Sequence, residues 1–152
     1  MNSHFPLYID MNGRRVLIYG GGVIAARRCR VLSGFGPRIT VIAPEISGEI
    51  RNIPGVVCRT ERFSADTMPD ADFVLAATGD ITINRAIVDA SRERGIPVND
   101  ASDQNNCDFH FPAIARRGPL VVGVNAGGQD HRLTARAAAA IRDLLTRLLE
   151  TD

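Results

Sequence analysis

The stretch from Val16 to Ala25 limits the folds open to this chain more than any other. A short run of aliphatic, β-branched and aromatic side chains, Val16-Leu17-Ile18-Tyr19, stops at Gly20-Gly21-Gly22, and an Ala- and Arg-rich segment of helical type follows. This is a strand, a tight turn and a helix, with the spacing G-x-G-x-x-G/A running from Gly20 to Ala25. Gly20 lets the chain turn at the strand tip. Gly22 keeps a side chain away from where a pyrophosphate approaches, and Ala25 is small enough for the helix to lie close on a sheet. The free N–H groups and the positive end of the helix then face the phosphates. A glycine cluster alone also serves as a tight turn in any α/β protein. Here strand and helix flank it on the proper sides, which favours a dinucleotide.

The remaining segments extend this unit into an α/β fold. Arg38 to Ala43 reads as a second strand, β-branched through its middle as a buried parallel strand is. Its tip, Ala43-Pro44-Glu45, carries Glu45 where an acidic residue takes the ribose hydroxyls. No arginine stands there to receive a 2′-phosphate, so NAD is favoured over NADP. Ile46 to Ile53 reads as a weak short helix and Gly55 to Arg59 as a third strand. Phe73 to Gly79 is a fourth, and its small-residue end at Ala77 and Thr78 leaves room for a cofactor across the strand tips. Asp80 is an N-cap for a helix from about Ile81 to Arg94, and Ile96 to Asn99 is a short fifth strand. Alternating strands and helices give a Rossmann-like doubly wound parallel sheet.

After a polar loop from Asp100 to Asn106 the pattern changes. Phe109–Ala115 and Leu120–Val124 read as strands joined by a short turn, a hairpin that adds an antiparallel edge to the sheet. A final helix from Asp130 or His131 to Leu149 carries Leu133, Ala137, Ile141, Leu144 and Leu148 at helical spacing, a stripe expected to face the core rather than a dimer seam. Phe5 to Ile9 reads as a further short strand. At 152 residues the chain is expected to be a single domain, with residues 1–106 as parallel core and 107–152 as hairpin and helix.

Composition excludes several chemistries. All 18 basic residues are arginine, so Schiff-base catalysis, covalent pyridoxal phosphate and a P-loop lysine are ruled out. A net charge of +1 argues against a general nucleic-acid or membrane-surface binder. Cys29, Cys58 and Cys107 form no C-x-x-C pair, which speaks against disulfides or zinc, and no metal site is expected. The N-terminal residues lack the basic start and apolar core of a signal peptide, and the cytoplasm is the expected location.

Taken together, the chain resembles the precorrin-2 dehydrogenase / sirohydrochlorin ferrochelatase family of siroheme biosynthesis. The resemblance rests on Phe5-Pro6-Leu7-Tyr8, Val16 to Ala25, Ile39 to Pro44, Ala76-Ala77-Thr78, Val98-Asn99, Cys107-Asp108-Phe109-His110-Phe111-Pro112-Ala113, Arg117 to Leu120 and Gly127-Gly128. It implies NAD-dependent oxidation of precorrin-2 to sirohydrochlorin. Some members also insert ferrous iron, an activity left open here. Cofactor contacts would fall on Val23, Ile24, Pro44 and Glu45, beside Gly20, Gly21 and Gly22. The family's catalytic aspartate, counted from Asn99, falls on Ser102, with Asp103 one further on. Asp103 is the expected general base. Family habit, with the stripe on the last helix, suggests a homodimer. The competing reading is an NAD-binding sensor that has lost catalysis.

Overall fold

A computed structural model describes residues 3–150. Five strands, β1 (Arg15–Tyr19), β2 (Arg38–Ala43), β3 (Val57–Thr60), β4 (Phe73–Ala76) and β5 (Val98–Asp100), form one parallel sheet. Their order is β3-β2-β1-β4-β5. The chain steps outward from β1 to β3, then crosses back to β4, so the direction of winding reverses between β1 and β4. In an open parallel sheet the crevice for a ligand lies there, beyond the carboxyl ends of the strands. Helices α1 (Val23–Ser33), α2 (Gly48–Arg51) and α3 (Ile81–Glu93) complete this part. Val16, Leu17, Ile18 and Tyr19 are all buried, because a central parallel strand is covered on both faces.

Contacts divide the chain into two compact units. One runs from Ile9 to His110 and holds the sheet. The other combines the residues up to Tyr8 with the chain from Phe111 onward. In it, β6 (Ala113–Arg117) and β7 (Leu120–Val124) pair antiparallel, and α4 (His131–Leu149) follows. The two-residue turn has Gly118 at φ 54 followed by Pro119, the order of a hairpin turn with glycine first.

Four expectations change. The hairpin is a separate two-stranded sheet, not an antiparallel edge of the parallel one. Its first strand begins at Ala113 rather than Phe109. Pro112 has no N–H to donate, and the preceding residues spend their polar groups on β5: Asp108 N–H donates to the Val98 carbonyl (2.8 Å) and Phe109 O accepts from the Asn99 side chain (2.8 Å). Phe5 to Ile9 forms no strand; it is exposed and touches the hairpin through the Tyr8 hydroxyl, which donates to Val121 O at 3.1 Å. On α4 the fully buried positions are Ala138 and Leu145, while Leu133, Leu144 and Leu148 stay exposed. A two-stranded sheet covers only a narrow face of a helix, so one edge of the apolar stripe is left outside.

Candidate active site

The three glycines serve three separate purposes. Gly20, at φ +126, turns the chain where its α-carbon meets the Ala77 carbonyl, and a Cβ there would collide with that backbone. The contact is held by hydrogen bonds from Gly20 N–H to Ile42 O (3.1 Å) and from Ala77 N–H to Tyr19 O (2.7 Å). A Cβ on Gly21 would collide with the Glu45 carbonyl and lie 2.7 Å from Ile46 Cα. Ser47 N–H donates to Gly21 O at 3.0 Å, clamping the loop that follows β2 onto the glycine turn. Gly22 differs: a Cβ there would meet nothing within 4 Å. The protein's own packing does not require a glycine at position 22.

Gly22 is also the N-cap of α1. No side chain caps this helix and no acid lies in its first turn, so the positive end of the dipole and its first N–H groups have no anionic or side-chain partner within the helix. Val23 beside it is 81% exposed, and Ile24 is exposed as well. Pro44 and Glu45 are exposed at the β2 tip. An open cradle, unspent N–H groups, an apolar step and a carboxylate at the next strand fit a dinucleotide, whose diphosphate would lie at Gly20–Gly22 and whose ribose hydroxyls would reach Glu45.

Across the switch point, Ala77 is buried and Thr78 is anchored by Asn84 on the first turn of α3. The Asn84 amide oxygen accepts Thr78 N–H (3.0 Å) and the Thr78 hydroxyl (2.6 Å). Its amide nitrogen donates to Ser102 Oγ at 3.1 Å. Ser102 in turn donates to Asp100 Oδ1 at 2.6 Å, and its own N–H reaches the same oxygen at 2.9 Å. Asp100 is only 2% exposed, and Oδ2 accepts from Asn106 Nδ2 at 3.2 Å. A buried carboxylate is tolerable because both its oxygens are engaged.

Asp103 stands differently. Oδ1 accepts Asn105 N–H at 3.0 Å and caps the single 3-10 turn Gln104–Asn106. The side chain is half-buried, and no hydrogen bond reaches Oδ2 among the described residues. Cys107 closes the loop: its sulfur accepts Asp100 N–H and donates toward Asp100 O, both at 3.2 Å. Burial pushes this thiol up. All three cysteines are free. Among the described residues no group of three or more His, Cys, Asp or Glu side chains could hold a metal ion, and no helix is long and apolar enough to cross a membrane.

Asn84 was missed in the sequence, although a signal existed. It lies three and four residues before Ile87 and Val88, on the helical face that is buried, where an amide needs partners.

Residues 7–113 match the family model described as putative NAD(P)-binding. The siroheme synthase of Nitrosomonas europaea is 36% identical over 156 residues, covering 97% of this chain and 33% of that protein. The siroheme synthase of Ectopseudomonas mendocina is 41% identical over 125 residues, covering 81% of this chain and 27% of its own length. The chain thus spans about a third of the curated relatives it matches. Among solved structures, "SirC, precorrin-2 dehydrogenase" superposes with a TM-score of 0.76 at 27% identity, over 93% of this chain and 71% of that one. The chain belongs to the putative NAD(P)-binding family, and these relatives bear out its resemblance to the precorrin-2 dehydrogenase family of siroheme biosynthesis.

Proposed function

We propose that this chain oxidises precorrin-2 to sirohydrochlorin with NAD. The observation that carries the reading is the open, uncapped Gly22 turn set across the switch point from Thr78 and the 100–106 loop. Held at Gly20–Gly22 and Glu45, NAD would supply the hydride acceptor, taking up two electrons and one proton from the substrate; the second proton would go to a base. Asp103 is that base. Its Oδ1 is fixed by Asn105 N–H while Oδ2 is left to take a proton. Ser102 contributes by position, since its hydroxyl hydrogen is committed to Asp100. Asp100 anchors the loop and takes no proton from substrate, being shielded and fully bonded. Glu45, with no arginine among its sequence neighbours from Ala43 to Ile46, supports NAD over NADP. We read the protein as cytoplasmic. The exposed Leu133, Leu144 and Leu148 of α4 support a homodimer, which light scattering tests.

The deciding assay adds precorrin-2 and NAD and follows NADH absorbance. Wild-type protein is expected to form NADH. Asp103→Ala is expected to lower kcat roughly 100- to 10,000-fold, the usual weight of a positioned base, with NAD affinity unchanged. NADH formation untouched by that substitution removes Asp103 from the mechanism. Wild-type protein that binds NAD but forms no NADH overturns the whole reading.

A further inference from the structure

The Asn84 amide is fully buried and uses its whole hydrogen-bonding capacity. On one side it holds Thr78, the residue after Ala77, whose carbonyl packs on Gly20. On the other it holds Ser102, which immediately precedes Asp103 in the chain. Asn84 and Thr78 bond both ways, the amide oxygen accepting from Thr78 and the amide nitrogen donating to the Thr78 carbonyl at 3.4 Å. From there Asn84 donates to Ser102, and Ser102 donates to Asp100. Bonds linked in this way polarise one another. The helix behind it is rigid: Asp80 caps α3 by accepting Thr82 N–H (2.8 Å) and Ile83 N–H (3.2 Å), and Asn84 N–H donates to Asp80 O at 2.9 Å.

We propose that Asn84 is a positioning residue that couples occupancy of the dinucleotide crevice, sensed at Thr78, to the placement of the Asp103 loop through Ser102. The proposal rests on the dehydrogenase reading above. A cofactor lying against Thr78 fixes the Asn84 amide, the amide fixes Ser102, and the 102–106 backbone is ordered before substrate arrives. The base is thereby held more firmly when a hydride acceptor is present.

The test is hydrogen exchange on the full chain with NAD as the probe, read at the Asn105 and Asn106 amides. Asn105 N–H bonds to Asp103 Oδ1 (3.0 Å), and Asn106 N–H bonds to Asp103 O (3.1 Å). Saturating NAD is expected to slow both amides about fivefold or more in wild-type protein, the low end of site-to-site coupling. Asn84→Ala is expected to bind NAD saturably, to lose that slowing, and to lower kcat about tenfold while the KM for NAD moves less than kcat does. Ser102→Ala, which leaves the Thr78–Asn84 bonds intact, is expected to abolish the slowing in the same way if Asn84→Ala proves unstable. Equal slowing in wild type and in either variant overturns the coupling. Wild-type protein that binds NAD without slowing these amides sinks the coupling alone; wild-type protein that binds no NAD removes the dehydrogenase reading, and the coupling with it.

Discussion

The glycine turn offers a sharp separation between folding and binding. At Gly22, Ala introduces a methyl into open space at ordinary backbone angles, φ −94 and ψ −160. Alanine is the poorer N-cap by up to about 1 kcal/mol, and loss of unfolded-state freedom returns about 0.4–1 kcal/mol. The two nearly cancel, so Gly22→Ala is expected to hold its stability to within about 0.5 kcal/mol. The same methyl stands where, on the proposed binding mode, the diphosphate would meet the first N–H groups of α1. Losing one hydrogen bond to a charged group costs about 1.5–3 kcal/mol, a roughly tenfold to hundredfold rise in Kd for NAD. Gly21→Ala drives its methyl into the Glu45 carbonyl and Ile46, and is expected to lose about 1–3 kcal/mol of stability, the range for overpacking. Gly20→Ala adds a strained φ of +126 to a collision with Ala77 and is expected to fare worse still. Thermal melts and NAD calorimetry on the three variants separate the two effects. The reasoning fails if Gly22→Ala binds NAD as the wild type does, or if it melts as early as Gly21→Ala.

Three further expectations concern single side chains. Glu45→Ala is expected to weaken NAD roughly tenfold, about one charge-assisted hydrogen bond, while NADP holds or gains; an unmoved NAD/NADP affinity ratio by calorimetry removes Glu45 from the ribose site. The Asp72 carboxyl is held below its ordinary value chiefly by Arg15 N–H at 2.7 Å, then by the Arg15 guanidinium. Its folded-state value lies below the unfolded 3.8, so its contribution is present above that pH and lost as pH falls through the folded value. The difference in Tm between wild type and Asp72→Asn should therefore shrink under acid, and a constant difference counts against the pairing. Burial pushes the Cys29 thiol from 9.0 up to about 11. A raised folded value means that stability is full below pH 9.0 and declines toward about 11 as the unfolded thiol ionises. Native Cys29 is also expected to resist alkylation until the protein is denatured, as mass spectrometry of labelled peptides would report.

The α/β alternation, the parallel sheet and the glycine crevice were legible in the sequence because each is a local matter. β-branched runs make buried strands, Gly20 marks a turn no other residue accepts, and Asp80 announces a helix start. Strand boundaries after Asn99 were not legible. Whether Phe109 joins a hairpin depends on which distant groups claim its carbonyl, and Asn99 does so. Likewise the periodicity of α4 shows an apolar stripe but not how wide a partner covers it; the narrow β6–β7 sheet decided which leucines stay outside.

The chain's own chemistry determined that a glycine turn open at Gly22 would follow β1, since glycine spacing acts over a few residues and is written in order. Only the tertiary structure decided how the three aspartates between the end of β5 and Asp108 divide their work. Asp100 became a buried anchor, Asp103 a capped carboxylate with one oxygen left over, and Asp108 a clamp on Val98 N–H at 3.0 Å. Their donors lie only two to ten residues away, so spacing alone offered each oxygen several candidates; the path the loop takes after β5 decided which donor came within about 3 Å of which oxygen.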